Sequence, residues 1–491
     1  MKTRMRMPRG WLAVLIGLVS FGACRSDSAT SGNGNSATIS GVSADAGAAN
    51  VLSATITFTV HSADSARVRY RAAGDTVQAT PFVRVFDGAS GLTVLGLRPL
   101  TSYQFSIEAV GRDGAPTIAG SAQLVTADLP VALQGVTLAF TGTTPGGYLL
   151  TAVNRDSQGF IVVFRRQGDV AWYHGFQLRD GEQAQETKQT VDGSFTVYLG
   201  GSFGWQPTGG RYVEVRPDGE IVRAIAGGAP YYTDNHELVL TGIDSVHKRA
   251  HLFGYDLRRV DMTAYGGPAD ALIAGHTILR QTLRGDVEFF WSAWDHFAIS
   301  DWIEPPDQNK QLANIDFDHP NSLDFDHDSN YIISFRNLGE ITKIDAVTGA
   351  VLWRLGGAHN QFTILNDALN GFSGQHSVRI LENGNLLAYD NGLRHVPPES
   401  RAVEYRLDQA AMTATLVWEY RHAPAVFTPF LGSVQRLQDG STLVGWGGVG
   451  LATWLNSGGG VLWEGRLLLD GQPASFYRLI TIPSLYEYQR P

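Results

Sequence analysis

A five-residue phrase, GAVLW at residues 349–353, recurs along this sequence and decides its fold. In each copy a turn leads into an alternating strand with an aromatic or long side chain near its end. The six copies lie at Gly168–Trp172, Gly219–Arg223, Gly285–Phe289, Gly349–Trp353, Leu416–Trp418 and Gly459–Trp463. Their spacing of roughly 45 to 65 residues is typical of four-stranded blades around an axis. The sequence therefore predicts a six-bladed β-propeller over residues 130–491. The alternative, a two-sheet sandwich, accounts less well for six repeats.

The composition also favours an all-β protein. The chain has 491 residues with 56 glycines, 17 tyrosines and 11 tryptophans, which is typical of many short strands joined by tight turns. A second phrase, a polar turn that precedes an apolar strand, occurs at Asn383–Leu387 and Asp439–Leu443. No segment keeps a 3.6-residue periodicity, so we expect helices to be few and confined to loops.

A smaller module precedes the predicted propeller. Residues 39–127 alternate in strand fashion, as in ATITFTV and YQFSIEAV. The stretch Leu97–Tyr103, followed by an alternating strand, resembles the tyrosine-corner region of a fibronectin type III domain, in which a tyrosine hydroxyl bonds to the backbone upstream. The resemblance implies a small β-sandwich over residues 39–127.

The N-terminus has the features of an export signal. Four basic residues precede an apolar run at residues 11–21, and small residues then lead to Cys24, the only cysteine. Residues 1–24 are therefore expected to be a signal peptide that ends in a lipoprotein-type cysteine, and residues 25–38 a flexible linker. This predicts an exported lipoprotein, periplasmic or on the cell surface, attached to a membrane by a lipid at Cys24. The alternative is an ordinary signal peptide whose cysteine is discarded.

Charge and motifs exclude several functions. The net charge of −9 gives no electrostatic reason to expect a nucleic acid partner. There is no phosphate-binding glycine loop with a lysine and no cysteine-based metal site, so we predict no cofactor and no metal. A metal bound by histidines in the channel stays open as an alternative. The stretch Asp324–Asn330 has alternating oxygen ligands but lacks the glycine and glutamate of a calcium loop, which favours a hairpin turn.

Polar residues cluster where four of the inner strands should begin. The clusters lie at residues 234–238, 316–323, 372–379 and 432–437, and the first three contain His236, His319 and His376. The innermost strands of a propeller line its central channel, so residues that are far apart in sequence can share one pocket. The remaining polar-loop histidines, His327, His359, His395 and His422, are expected to be solvated.

Two runs resemble consecutive blades of the bacterial arylsulfotransferase family. They are HPNSLDFDHDSNYIISFRNLGEITKIDAVTGAVLWRLGG, at residues 319–357, and GQHSVRILENGNLLAYDNG, at residues 374–392; with SRAVEYRLD and LVWEY the likeness covers about residues 310–425. The resemblance implies that His376 takes up a sulfuryl group. It also implies catalytic roles for His319, Arg336 and, from an earlier blade, His236. Asn321, Gln375 and Ser433 are expected to contact substrate.

The chemistry of these side chains suits sulfuryl transfer. A neutral imidazole is a competent nucleophile near pH 7, and a phenol is a tolerable leaving group. A guanidinium and further imidazoles can stabilise the charge on the sulfuryl oxygens. The expected partners are small aryl sulfates and phenols, with no nucleotide sulfate donor.

Two other functions remain open at the level of the sequence. A non-catalytic surface propeller would bind a ligand or a protein partner, but it has no need for His319, Asn321, Arg336 and His376 together. A quinone-dependent dehydrogenase propeller would show regular tryptophan docking repeats and a calcium site, and neither is evident.

Overall fold

The computed structural model describes residues 35–143, 146–201, 209–228, 230–242, 246–303 and 313–486. The predicted signal peptide, Cys24 and residues 25–34 of the predicted linker lie outside these residues. Within them there is no α-helix, and the five helical segments are 3-10 turns of three residues each. These turns are Val131–Leu133, Thr263–Tyr265, Ala293–Asp295, Ile299–Asp301 and Gly447–Val449. The prediction of an all-β protein with few helices is confirmed.

The first eight strands form two facing sheets. They are β1 (Thr38–Ala46), β2 (Ala54–His61), β3 (Ala63–Ala72), β4 (Gln78–Ala79), β5 (Val83–Arg84), β6 (Gly88–Val94), β7 (Ser102–Gly111) and β8 (Pro116–Val125). One sheet has the order β1-β2-β6 and the other β4-β3-β7-β8, with β5 beside β3. The alternating side chains of the two sheets meet in one apolar cluster.

The rest of the described chain forms six antiparallel sheets, which we number I to VI. Sheet I contains β10 (Tyr148–Arg155), β11 (Gln158–Phe164), β12 (Val170–Gln177) and β36 (Ile480–Ile482). Sheet II contains β13 (Gln183–Gln189), β14 (Phe195–Gly200), β15 (Arg211–Val215) and β16 (Ile221–Ile225). Sheet III contains β17 (Tyr232–Thr241), β18 (Arg249–Val260), β19 (Ala271–Thr282) and β20 (Val287–Ser292), with β21 (Asn314–Asp316) parallel to β19.

The remaining three sheets follow the same plan. Sheet IV contains β22 (Pro320–Phe325), β23 (Tyr331–Phe335), β24 (Glu340–Ile344) and β25 (Val351–Gly356). Sheet V contains β27 (His376–Ile380), β28 (Leu386–Asp390), β29 (Arg401–Asp408) and β30 (Thr413–Arg421), with β26 (Thr363–Leu365) parallel to β30. Sheet VI contains β31 (Ser433–Arg436), β32 (Thr442–Trp446), β33 (Leu451–Leu455), β34 (Val461–Leu469) and β35 (Gln472–Pro473), with β9 (Val136–Gly142) beside β34.

The six sheets close a ring, which makes the architecture propeller-like. The innermost strands of sheets II to VI contact one another in chain order, β31 of sheet VI contacts β36 of sheet I, and β10 of sheet I contacts β13 of sheet II. Both ends of this part of the chain join the closure, because β36 completes sheet I and β9 extends sheet VI. An apolar cluster fills each gap between neighbouring sheets. All six copies of the phrase that resembles GAVLW at residues 349–353 lie at fourth strands from the centre of the ring. These strands are β12, β16, β20, β25, β30 and β34.

The N-terminal sandwich packs directly against sheet I. Asn50 donates its side-chain N–H to the carbonyl of Tyr173 at 2.9 Å, and the tyrosine hydroxyl accepts the N–H of Val51 at 3.2 Å. Arg165 donates to the carbonyls of Gly96 and Leu97 at 2.6 and 2.7 Å. These contacts fix the sandwich to the ring.

Candidate active site

The innermost strands bulge where the candidate residues occur. The pairing register shifts between Gln185 and Thr187 in sheet II, between Thr233 and Leu238 in sheet III, between Pro320 and Ser322 in sheet IV, and between His376 and Arg379 in sheet V. A bulge leaves its residue outside the strand ladder and re-aims its side chain. Three of the four polar clusters of the sequence therefore coincide with irregular backbone at the centre of the ring, whereas the fourth, at residues 432–437, pairs in regular register.

Three residues in these segments are held in a strained conformation. Glu186 has a φ of 34°, His319 of 48° and Ser377 of 53°, values that residues other than glycine seldom adopt. Such strain persists only where the surrounding structure imposes it, and it concentrates at functional sites.

The structure brings the predicted catalytic side chains into one neighbourhood. The rings of His236 and His319 meet edge to face with their centroids 4.4 Å apart. His376 is buried, and Arg336, His319 and His236 all lie close enough to act on its charge. Sheets III, IV and V therefore bring these four side chains together, and their catalytic roles stay a prediction.

His376 is held as one particular tautomer. Its Nδ1 lies 2.7 Å from Oδ1 of Asn391 and 3.0 Å from the carbonyl oxygen of Gly374. Both partners can only accept a hydrogen bond, so Nδ1 carries the proton and Nε2 carries the lone pair. Burial first, and then the charge of Arg336, hold the pKa of His376 well below its ordinary value. The imidazole is therefore neutral at pH 7, with Nε2 available as a nucleophile.

Asn391 is a site residue that the sequence did not assign, although it lies in one of the runs that carry the family resemblance. Its amide NH2 donates to the carbonyls of Thr428 and Leu431 at 2.7 and 2.9 Å. Those bonds fix the orientation of the amide, so its oxygen must face His376. An asparagine in the run Asp390–Gly392 was the signal that could have found it.

The other two histidines face carboxylates. Nδ1 of His236 lies 2.9 Å from Asp234, and Nδ1 of His319 lies 2.5 Å from Asp316. Despite its burial, Asp234 has a pKa far below the ordinary value, chiefly because His236 lies beside it. Burial lowers the pKa of His319 to about 4, although Asp316 opposes the shift. A carboxylate on Nδ1 directs Nε2 toward a substrate and favours the protonated ring when a proton arrives.

Arg336 connects the segment of His319 to the 427–431 segment. Its backbone N–H donates to the carbonyl of His319 at 2.9 Å, and its guanidinium donates to the carbonyl of Pro429 at 2.9 Å and to Asn337 at 2.6 Å. The guanidinium therefore lies between sheet IV and the 427–431 segment. Carbonyl oxygens of this segment also accept the two hydrogen bonds of the Asn391 amide.

Asn321, Gln375 and Ser433, the expected substrate contacts, bond within the protein. Asn321 donates to the carbonyl of Gln375 at 2.7 Å, and the Gln375 amide donates to the carbonyl of Glu340 at 3.0 Å. Ser433 donates to the carbonyl of Leu479 at 3.2 Å. These bonds join sheet IV to sheet V and sheet VI to sheet I. Contact of the three side chains with substrate stays a prediction.

A buried ion network lies beside the histidines, and the sequence analysis missed it. Arg478 pairs with Glu186 at 3.0 Å and with Glu237 at 2.7 Å, and it donates to the carbonyls of Asn321 and His236 at 2.8 and 3.2 Å. The network also includes Lys188 and Arg379, which pair with the same glutamates. It ties sheets II, III, IV and V to the C-terminal segment.

A second buried cluster lies behind His236 and His319. His276 bonds through Nδ1 to Asp318 at 2.6 Å. Burial lowers the pKa of His276, but Asp318, Asp316 and Asp234 together outweigh it and raise the pKa to about 9. The four side chains come from sheet III and from the segment that leads into sheet IV.

Some expectations for other polar residues need revision. His395 is buried and bonds to the carbonyl of Glu399 at 3.1 Å, and His422 is held between the carbonyl of Pro424 and Glu464, so neither is solvated as expected. Asp324–Asn330 does form the turn between β22 and β23, where the ammonium of Lys343 pairs with Asp326 and Asp328.

Solved structures with a similar chain trace are distant. A protein of unknown function from Bacteroides caccae is 14% identical, with 68% of this chain and 98% of that chain covered and a TM-score of 0.42. A catalytically inactive virginiamycin B lyase from Staphylococcus aureus is 9% identical, with coverages of 69% and 92% and a TM-score of 0.35. Hydrazine synthase of Kuenenia stuttgartiensis is 10% identical, with coverages of 75% and 95% and a TM-score of 0.32. At these TM-scores the likenesses support no statement about activity.

One comparison bears on function. No curated protein matches the chain. Residues 257–465 match the model of the arylsulfotransferase (ASST) family. The matched segment contains His319, Arg336 and His376, whereas His236 lies before it. Residues 257–465 are thus similar to the arylsulfotransferase family, and this match supports sulfotransferase activity in general.

Proposed function

We propose that the protein is an arylsulfotransferase that moves a sulfuryl group from an aryl sulfate to a phenol through a sulfated His376, without a nucleotide donor. One observation carries the proposal: His376 is neutral, its Nδ1–H is held by Asn391, and its Nε2 lone pair shares a neighbourhood with Arg336, His319 and His236. A nucleophile beside preorganised donors is the arrangement that transfer of an anionic group requires.

The first half-reaction breaks the sulfur–oxygen bond of the donor. Nε2 of His376 attacks sulfur, a sulfur–nitrogen bond forms, and the donor leaves as a phenolate that takes a proton from water. The guanidinium of Arg336 stabilises the charge on the sulfuryl oxygens.

The second half-reaction regenerates the histidine. Nε2 of His319 or His236 accepts the proton of an incoming phenol, and the carboxylate on Nδ1 stabilises the imidazolium that results. The phenol oxygen attacks sulfur, the sulfur–nitrogen bond breaks, and the product is a new aryl sulfate. Both substrates are phenol derivatives, so the exchange is nearly balanced in free energy.

Trapping the intermediate tests this function. Protein incubated with 4-nitrophenyl sulfate in the absence of acceptor should gain one acid-labile adduct of about 80 Da, the mass of SO₃ added by covalent catalysis, on His376. His376→Ala should gain none. Protein that releases no phenol from a panel of aryl sulfates would contradict the proposal and favour the non-catalytic surface propeller.

We also propose that the six sheets are the blades of a six-bladed propeller, here residues 130–491, and that residues 39–127 are a fibronectin type III-like domain. The strand orders β1-β2-β6 and β4-β3-β7-β8 support the second assignment. The hydroxyl of Tyr103 accepts the backbone N–H of Arg98 at 2.9 Å, which is the contact of a tyrosine corner.

Export and lipid attachment at Cys24 are part of the same proposal. Among the described residues, no helix has the length and hydropathy of a membrane span. Labelled palmitate fed to cells that produce the full chain should enter the wild-type protein and not Cys24→Ser. Equal labelling of the two proteins would overturn the proposed anchor.

A further inference from the structure

Four side chains form a group behind the candidate active site, and the proposed mechanism uses only two of them, Asp234 and Asp316, as partners of His236 and His319. His276 lies on β19, Asp234 on β17, Asp316 at the end of β21, and Asp318 just beyond it. His276, Asp234 and Asp318 are almost fully buried. Asp234 and Asp316 also hold the Nδ1 atoms of His236 and His319, so the group touches the site from behind.

Asp318 orients His276. One of its oxygens accepts Nδ1–H of the ring at 2.6 Å and the backbone N–H of His319 at 3.1 Å, and the other accepts the backbone N–H of His276 at 3.1 Å. A histidine whose Nδ1–H is held by a carboxylate presents Nε2 to whatever lies on its far side, which is the usual arrangement behind a metal-ligating histidine.

The far side of His276 faces Asp234 across a gap that no hydrogen bond spans. Its Nε2 is buried without a hydrogen-bond partner and lies 3.7 Å from Oδ2 of Asp234. That separation is too long for a hydrogen bond. Two ligand atoms on one cation, with bonds of about 2.1 Å at tetrahedral angles, lie about 3.4 Å apart. The gap therefore fits a cation that both atoms bind better than it fits a shared proton.

Charge and unpaired atoms point the same way. Oδ1 of Asp316 is also buried without a partner, and one ligand atom from each of His276, Asp316 and Asp318 lies within 4.8 Å of the others. Three carboxylates in a buried region are costly unless positive charge compensates them.

We propose that His276, Asp234 and Asp316 bind one divalent cation, with Asp318 as the residue that orients His276. Imidazole nitrogen with carboxylate oxygens is a donor set that Zn²⁺ and Mn²⁺ accept. A bound cation fixes the carboxylates of Asp234 and Asp316, and through them the rings of His236 and His319. No sequence motif indicates this site, because its ligands are widely spaced along the chain.

Titration of the full-length protein with ZnCl₂ after dialysis against a chelator tests the proposal. Calorimetry should show one tight equivalent of Zn²⁺ in the wild type, and Mn²⁺ should give a bound electron-resonance signal. His276→Gln should lose that equivalent. Asp318→Asn keeps every proposed ligand but loses the carboxylate that orients His276. It should therefore bind Zn²⁺ about 10- to 100-fold more weakly. Circular dichroism and melting of each variant check its folding.

A matched control separates this site from buried histidines in general. His251 is also buried, but both of its ring nitrogens are hydrogen-bonded, to Tyr331 and to Thr241. His251→Gln should bind Zn²⁺ as the wild type does. If His276→Gln misfolds, Asp318→Asn decides, because unchanged affinity in that folded variant overturns the proposal.

Other outcomes overturn it directly. The proposal is wrong if the wild-type protein binds neither Zn²⁺ nor Mn²⁺. It is also wrong if folded His276→Gln binds the same number of equivalents as the wild type. Nitrogen resonances that show both ring nitrogens of His276 protonated in excess Zn²⁺ assign the gap to a proton. An aryl sulfate assay on the chelated protein keeps the two proposals apart, since sulfuryl transfer without bound cation leaves the proposed function standing.

Discussion

The three histidines of the candidate site fall into two kinds according to what faces Nδ1. His376 bonds to an amide oxygen and a backbone carbonyl, which are neutral acceptors. His236 and His319 bond to the carboxylates of Asp234 and Asp316. A neutral acceptor fixes the tautomer and favours the charged ring less than a carboxylate does, which suits a nucleophile. A carboxylate stabilises the charged ring, which suits a group that receives a proton during the reaction.

The largest loss of activity is expected at His376, the proposed nucleophile. His376→Ala should lower release of 4-nitrophenol from 4-nitrophenyl sulfate at least about 1,000-fold, because in the proposed mechanism His376 carries the sulfuryl group from donor to acceptor. His251→Gln is the control for removal of a buried histidine. Comparable activity in His376→Ala and the wild type would mean that the two kinds of histidine are misassigned.

The second largest loss of activity is expected at Arg336, whose guanidinium lies between sheet IV and the 427–431 segment. Arg336→Ala should lower kcat about 100- to 1,000-fold, since removal of a preorganised donor is felt mainly in the transition state. Arg336→Lys should recover only part of the loss, because an ammonium lacks the planar fork. A rise in KM with kcat unchanged would show instead that Arg336 only binds the ground state.

Asn391→Asp converts the surroundings of His376 into those of His236 and His319. The carboxylate should raise the pKa of His376, so the ring stays protonated to a higher pH and the acid limb of kcat/KM moves upward. At a pH below the new pKa, activity should fall about tenfold for each further pH unit, because the neutral imidazole becomes about tenfold scarcer. Profiles of wild type and variant from pH 5 to 9 provide the measurement, and superimposable profiles would refute the role given to Asn391.

The smallest effect is expected at His251, a buried histidine outside the candidate site, and it concerns the free energy of unfolding. Burial lowers the pKa of His251 to about 3, and its partners are neutral hydroxyls, as the partners of His376 are neutral. The unfolded chain takes up a proton on His251 near pH 6.5 and the folded protein does not, so the free energy of unfolding falls as the pH drops from 6.5.

His251→Gln should remove part of that acid sensitivity. Between pH 7 and pH 4.5 the variant should lose about 2 kcal/mol less of its free energy of unfolding than the wild type, as measured by urea denaturation. His327→Gln, the same substitution at an exposed histidine, is the matched control. Identical slopes in the wild type and His251→Gln would show that burial of His251 does not control its proton.

Much of the fold could be read from local patterns. Turn phrases and alternating strands predicted an all-β protein, and all six copies of the phrase around GAVLW lie on fourth strands. The family resemblance was carried by residues 310–425, and the family match covers 257–465. His236 lies before that match, and the sequence identified it only from a short polar cluster.

The partners of the catalytic candidates could not be read in this way. Asn391 follows His376 by 15 residues, Asp318 follows His276 by 42, and Glu237 lies 241 residues before Arg478. No local pattern links such residues. His376 and Asn391 meet across neighbouring strands of sheet V, whereas the other two pairs join segments that only the packing of sheets around the ring brings together.

The sequence by itself determined the all-β class and the identity of the imidazoles and the guanidinium, because alternation, turn residues and short motifs are properties of neighbouring residues. Only the tertiary structure decided which tautomer each ring adopts, which carboxylates stand behind it and which charges compensate one another. Those properties depend on distances through space between different sheets, and such distances exist only once the ring has closed.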